Sequence, residues 1–344
     1  MAQELRVGFI GVGGIARHHL KKLSEIPEAR PVAFCDVDLS RAEEAAKPCG
    51  GRAYSDYRRM LEAGGLDAVY VCVPPSAHGS IETDCSDEGL ALFVEKPVNL
   101  YLDEARRISR RIEKKGVVNA VGYSLRYSAG ARQAKAFFDG TPPLLAQCER
   151  WGGLPKTPWW GRYAMSGGQL VEMFTHQVDL LRWWMGEVKS VYARYDWAAP
   201  AEGSDVPRLQ AVVLNFESGA TALLSCTCAI EGWRGAAEFV LRGGWASWEG
   251  EGLKVEPAGK LPLPPKPDDA PGVDLAFVSA ALARSQAGIL TPYADGVTSL
   301  AVTLAANESA RRMKEVVVAK AKGDPRPPAA DKAGAAPAGR RSEP

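Results

Sequence analysis

The chain has 344 residues, 46% hydrophobic and 24% charged, which is enough for two ordinary globular domains with separate cores. Its 42 basic and 41 acidic residues leave a formal charge of +1, so no global field favours nucleic acid, an anionic membrane surface or a strongly acidic partner, and a small-molecule substrate fits better. The 7 cysteines include no CxxC pair and several sit inside apolar runs such as VYVCV and LLSCTC; they read as reduced, mostly buried residues of a cytoplasmic protein. The opening MAQELRVGFIGVGG has no secretory pattern, and no apolar run approaches the roughly 18 residues of a membrane span.

In chain order, short apolar runs alternate with helical segments. RVGFIGV precedes ARHHLKKL, PVAFCDV precedes SRAEEAAK, LDAVYVCV precedes IETDCSDEG, LALFVEK precedes LDEARRISRRIEKKG, and VVNAVGY closes the series near Gly122. This pattern predicts a parallel sheet covered on both faces over residues 1–122. From about residue 143 the strands are longer and alternating: LLAQCERW, VKSVYARYDW, LQAVVLNF, ATALLSCTCAI, AEFVLRG and WASWEGEGLKVE, with NFESGA as a hairpin turn. With helices over 170–184, 272–285 and 295–319, residues 123–322 read as an α+β domain. The stretch 323–344, rich in Pro, Ala, Gly and charge, reads as a disordered tail.

Gly11, Gly13, Gly14, Ile15 and Ala16 belong to a GxGxxA turn between the first strand and helix. The first glycine permits the tight turn, the second lets backbone approach a pyrophosphate, and the small alanine lets helix and strand pack closely. The helix start then offers free N–H groups to phosphate. Asp36 ends the next strand, where a carboxylate binds both ribose hydroxyls and repels the extra phosphate of NADP; NAD is therefore favoured, with NADP left open by the nearby Arg41. Pro74 and His78 follow the third apolar strand at the ligand-binding carboxyl edge. His78 either touches the ribose or nicotinamide, or is a loop histidine bonded to backbone. Glu95 and Lys96 end the fourth apolar strand at the same edge, before Pro97.

The segment LVEMFTHQVDLLRWW, 170–184, is mostly apolar, yet on a continuous helix Glu172, His176, Asp179 and Trp183 fall within roughly 60° of one another. GVGGIARHH, PPSAH, VEKP and SGGQLVEMFTHQVDLLRWWMGEV, in this order and at these spacings, resemble the Gfo/Idh/MocA family of sugar and cyclitol oxidoreductases over about residues 5–320. The resemblance implies a Rossmann domain followed by an α+β domain with a large, mainly antiparallel open sheet that often forms the oligomer interface, here as a dimer or tetramer. It also implies oxidation of a secondary alcohol on a sugar or cyclitol, or reduction of the ketone. The family lysine corresponds to Lys96, and the acid and histidine to Glu172 and His176. Many members carry aspartate where this chain has Glu172.

Removing hydride from a carbinol requires a base within about 3 Å of its hydroxyl, which suits His176. Glu172, one helical turn earlier, is placed to orient the imidazole and raise its pKa, and Lys96 to polarise the substrate oxygen. Asp179 is placed either to bind a substrate hydroxyl or to pair with Arg182 or Arg126. Tyr123, Arg126, Tyr127, Trp159 and Trp160 either face the substrate or pack in the core. Two other readings compete: a non-catalytic dinucleotide sensor of the same fold, and a metal site built from Glu172, His176 and Asp179, which would crowd one ion. No metal is expected.

Overall fold

The computed structural model describes residues 4–320 except 251 and 269; the expected tail lies outside the described residues. Strand β1 (Leu5–Ile10) and helix α1 (Gly14–Leu23) start the chain, followed by β2 (Ala29–Cys35), α2 (Leu39–Ala46), β3 (Arg52–Tyr54), α3 (Tyr57–Glu62), β4 (Ala68–Val71), α4 (Ser80–Asp87), β5 (Ala91–Val94), α5 (Leu102–Lys115) and β6 (Asn119–Val121). The six strands form a parallel sheet in the order β3-β2-β1-β4-β5-β6. Its topology reverses direction at β1 and β4, which opens a crevice at their carboxyl ends, where doubly wound sheets take their ligands. The central strands are apolar on both faces because both are covered: β4 and β5 are buried at every position. The short edge strand β3 and helix α3 were not among the expected elements.

The second half adds α6 (Ala129–Gly140), β7 (Leu145–Gly153), α7 (Tyr163–Ser166), α8 (Gln169–Glu172), α9 (Thr175–Met185), β8 (Val188–Asp196), β9 (Leu209–Phe216), β10 (Thr221–Thr227), β11 (Ala229–Leu241), β12 (Gly244–Trp248), β13 (Leu253–Glu256), α10 (Val273–Ala283), α11 (Tyr293–Arg312) and β14 (Val316–Val317). Eight strands form one sheet in the order β13-β12-β11-β7-β10-β9-β8-β14, antiparallel except for the β7–β10 pair. The NFESGA hairpin joins β9 to β10, with Phe216 N–H donating to the Ala220 carbonyl at 2.9 Å.

Among the described residues, helices cover one face of this sheet. Phe138, Leu181, Trp184, Val302 and Ala306, from α6, α9 and α11, pack with Val212, Leu224 and Phe239 into its core. Leu209, Leu223, Val240 and Trp245 alternate with those inward residues and are exposed on the other face. Two helices expected in the second domain also reach the first sheet: Phe277 of α10 packs with Tyr70 and Phe93 on one face, and Val297 and Leu300 of α11 pack with Val71 and Val94 on the other. The boundary at 122/123 thus separates the sheets but not the helices. Helix α11 stops at Arg312, short of the expected 319, because Met313 turns left-handed (φ 51°) and the chain continues into the edge strand β14.

Candidate active site

The glycine turn after β1 is built for close approach. Gly11 has φ +80°, and a Cβ there would stand 2.7 Å from the carbonyl oxygen of Cys72 at the end of β4. At Gly13 and Gly14 a Cβ would meet nothing within 4 Å, so the backbone in front of α1 lies open. Among the described residues no side chain caps α1, which leaves its first N–H groups for a ligand. Ala16 is buried where helix and strand touch, and Ile15 is exposed beside the turn. Asp36 accepts from Val12 N–H at 3.1 Å and Asp38 N–H at 3.1 Å, which fixes its carboxylate beside the turn. Arg41 pairs with Asp38 at 3.4 Å, so the cation nearest in sequence already has an anionic partner. This open, uncapped turn with a fixed acid fits the pyrophosphate and ribose of a dinucleotide, and Pro74 adds a half-buried wall at the same sheet edge.

Two of the expected cofactor contacts are bonded to protein groups, although His78 Nε2 has no hydrogen-bond partner among the described residues. His78 is buried and bonds Glu82 one turn ahead on α4, so it braces the start of that helix. Glu95, also buried, accepts from Lys96 N–H at 3.1 Å and from His19 Nε2 at 3.1 Å, which commits both carboxylate oxygens to protein. The other His19 nitrogen donates to Asp274 of α10 at 2.7 Å. Burial alone would push the His19 imidazole down, but its bonds to Asp274 and Glu95 and their charges outweigh burial and raise it to about 9. A buried imidazolium thereby ties α1, the end of β5 and α10 together.

Beyond Glu95 the chain emerges at Lys96, and Lys96 Nζ donates to Glu172 Oε1 at 2.7 Å and to the Glu172 carbonyl at 2.8 Å. The lysine comes from the first sheet and the glutamate from α8, so the two domains meet in this pair. Trp160 Nε1 donates to the other carboxylate oxygen at 2.5 Å. The indole is buried with Val206 and Cys228, so Trp160 packs in the core, one of the two roles left open for it, and braces Glu172.

The expected continuous helix over 170–184 is broken. Phe174 N–H donates to Gln169 O, five residues back, at 2.8 Å, and α8 ends before α9 begins at Thr175. This wide turn takes Glu172 and His176 out of the one-turn relation of a continuous α-helix. Glu172 serves Lys96 and Trp160 and, among the described residues, makes no bond to His176. The sheet beneath holds the break in place: Gln169 Nε2 donates to Thr227 O at 2.9 Å, and Leu170 N–H donates to Gln210 Oε1 at 3.0 Å.

His176 is half-buried, with the Tyr123 ring edge-on at 5.9 Å between centroids. Its Nδ1 is buried without a hydrogen-bond partner among the described residues. Burial, then the charges of Lys96 and Arg150, hold the imidazole well below its ordinary pKa of 6.5, so it is neutral at neutral pH. Tyr123 is itself buried, shares a 2.9 Å hydrogen bond with Thr175 and packs against the histidine. Arg126 and Asp179 form the ion pair that the sequence leaves open as one role for Asp179. Arg126 Nε and Nη2 reach the two Asp179 oxygens at 2.7 Å each, both side chains are buried, and Ser299 adds a 2.9 Å bond. With Asp179 so committed, Glu172, His176 and Asp179 do not converge on an ion, and among the described residues no cluster of three or more His, Cys, Asp or Glu is placed to hold a metal. Sequence reasoning missed His19, Asp274, Arg150 and Gln169; the acidic Asp274 in the first turn of an apolar helix was the one visible signal.

The doubly wound sheet and its open glycine turn are those of a dinucleotide-binding Rossmann domain. Residues 5–123 match the oxidoreductase family described as "NAD-binding Rossmann fold", and residues 142–247 match the GFO/IDH/MocA C-terminal domain. An uncharacterized oxidoreductase of Bacillus subtilis is 30% identical over 65% of this chain and 67% of its own length. The scyllo-inositol 2-dehydrogenase (NAD(+)) of Bacillus subtilis is 31% identical over 56% of this chain and 57% of its own. For the myo-inositol 2-dehydrogenase of Thermotoga maritima the figures are 30%, 64% and 67%. Alignment with these relatives thus spans between 57% and 67% of their lengths. Among solved structures, levoglucosan dehydrogenase in complex with NADH and L-sorbose superposes with a TM-score of 0.81 at 20% identity, covering 92% of this chain and 100% of that one. The WlbA dehydrogenase of Bordetella pertussis, in complex with NADH and UDP-GlcNAcA, gives 0.81 at 21% identity, over 92% and 99%. At such identities the likeness speaks for the fold. The chain belongs to the Gfo/Idh/MocA oxidoreductase family.

Proposed function

We propose that this oxidoreductase acts on a secondary alcohol, or the corresponding ketone, of a sugar, cyclitol or sugar derivative, with Lys96 and His176 as its catalytic residues. The observation that carries the reading is the meeting of the domains: an ammonium delivered by the nucleotide-binding sheet stands paired with Glu172, close enough to His176 to depress its pKa. Gly11, Gly13, Gly14, Ala16 and Asp36 hold the dinucleotide, with Asp36 selecting the unphosphorylated ribose of NAD. Bound NAD supplies the two-electron acceptor for the carbinol carbon.

The residues of the chain handle the proton and the charge. With Nδ1 buried, His176 presents Nε2 to the substrate hydroxyl and, being neutral, takes its proton. Lys96 stabilises the negative charge that develops on the same oxygen. Glu172 fixes the lysine head through two hydrogen bonds. In the reducing direction the same groups return the proton. The relatives named as inositol 2-dehydrogenases support a polyol substrate. The experiment is a panel of sugars, cyclitols and sugar acids scored by NAD reduction at 340 nm, with His176→Ala as control; no turnover across the panel by a chain that binds NADH would favour a non-catalytic sensor. The exposed apolar face of the second sheet supports a homo-oligomer, and no described helix is long and apolar enough to cross a membrane.

A further inference from the structure

The second sheet brings one more cation to the site. Arg150 of β7 has the same inward parity as Ala146 and Cys148, which are buried beneath the helices, so its side chain projects toward the break between α8 and α9. There its guanidinium meets Met173 Sδ at 3.9 Å, a weak acceptor, and it has no ion-pair partner among the described residues. The neighbouring acid in sequence, Glu149, pairs with Arg234. The acid whose charge Arg150 feels most, Glu172, already spends one oxygen on Lys96 and the other on Trp160.

A half-buried guanidinium stays charged and presents a rigid fork of donors that matches a carboxylate. Leaving it unmatched is unfavourable, and burial indeed pushes Arg150 below its ordinary pKa. With His176 neutral, Lys96 and Arg150 against the single carboxylate of Glu172 leave the pocket with one net positive charge. That balance suits a monoanion better than a phosphate dianion.

We propose that Arg150 reads a carboxylate on the substrate, so that the preferred substrate class is a sugar acid, an aldonate or uronate type of polyol, in place of a neutral sugar or cyclitol. This inference rests on the reading of the site as a secondary-alcohol site. Lys96 and His176 hold the reacting carbinol, and Arg150, on the sheet floor, holds the carboxylate and fixes which carbinol reaches them.

The test is calorimetry on the full chain loaded with NADH, using matched probes: D-gluconate against D-glucitol, and D-glucuronate against D-glucose, for wild type and Arg150→Gln. The proposal expects the charged member of at least one pair to bind about tenfold or more tighter, and the variant to lose that preference while keeping its affinity for NADH. Equal binding within both pairs, no binding of either acid, or a preference that survives Arg150→Gln overturns it. Glucose 6-phosphate binding more tightly than either acid also overturns it, in favour of a phosphate. Turnover of a neutral cyclitol without any charge preference would remove this role from Arg150 yet leave the dehydrogenase reading intact; failure of the wild type to bind NADH would remove both.

Discussion

What surrounds His176 suits the role of base proposed for it. An imidazole with an ordinary pKa would be part-protonated in weakly acid solution, but burial and the charges of Lys96 and Arg150 keep this one neutral. A group whose pKa is lowered stays deprotonated to lower pH, so the acidic limb of kcat for alcohol oxidation should fall below pH 6.5. A limb at or above 6.5 would mean that the proton goes to another group. Glu172 is tied to the other partner. Glu172→Gln removes the charge that anchors Lys96 Nζ and should lower kcat by about tenfold to a hundredfold, the worth of one charged hydrogen bond, with little change in the KM for NAD. Because Glu172 does not bond His176, the variant should leave the acidic limb where it was; a downward shift would restore the role of orienting acid that a continuous helix would have given it.

At the scale of elements, precise placement comes from ties between segments far apart in sequence. The end of β5, which launches Lys96, is held by Glu95, and Glu95 by His19 of α1, which also bonds Asp274 of α10. The His19 pKa is raised from 6.5 to about 9, so its contribution to stability is complete below about pH 6.5 and is lost as pH rises through about 9, up to about 3 kcal/mol if the unfolded imidazole is unperturbed. Chemical denaturation between pH 6 and 10 should show this decline in the wild type and a flatter profile in His19→Gln. Identical pH dependence in the two proteins would mean that the triad is not charged.

The same scale explains what the sequence disclosed. The glycine turn, the acid at Asp36 and the lysine after LALFV are legible because each belongs to a strand end, and strand ends follow from local apolar runs. The break at Met173 and Phe174 is not legible: no glycine or proline interrupts 170–184, and the wide turn is stabilised by Gln169 and Gln210 bonding across to the second sheet. The Arg126–Asp179 pair is one of the two roles the sequence leaves open for Asp179; choosing between them needs the fold, since the bidentate pairing joins segments more than fifty residues apart. The three-residue edge strand β3 is too short for a periodic signal, and that Arg150 has no ion-pair partner among the described residues shows only when the strands around it are assembled.

For the whole molecule, the second sheet raises a question of assembly. Leu209, Leu223, Val240 and Trp245 are exposed on the face opposite its helices, apolar side chains that a second subunit would cover. Light scattering at micromolar concentration should return at least twice the 36.9 kDa of one chain; a monomeric mass would leave that face to some other partner. The proposed catalytic residues are divided between the two domains. The nucleotide sheet carries Lys96, the second domain carries His176 and Glu172, and neither domain has the complete set. The most direct test is therefore single-turnover NAD reduction by His176→Ala and Lys96→Met on a substrate from the panel, with NADH affinity measured on the same samples. The account predicts a loss of about 10² to 10⁴ in rate for each variant, with NADH affinity nearly unchanged. Near-full turnover by His176→Ala across the pH range would contradict it.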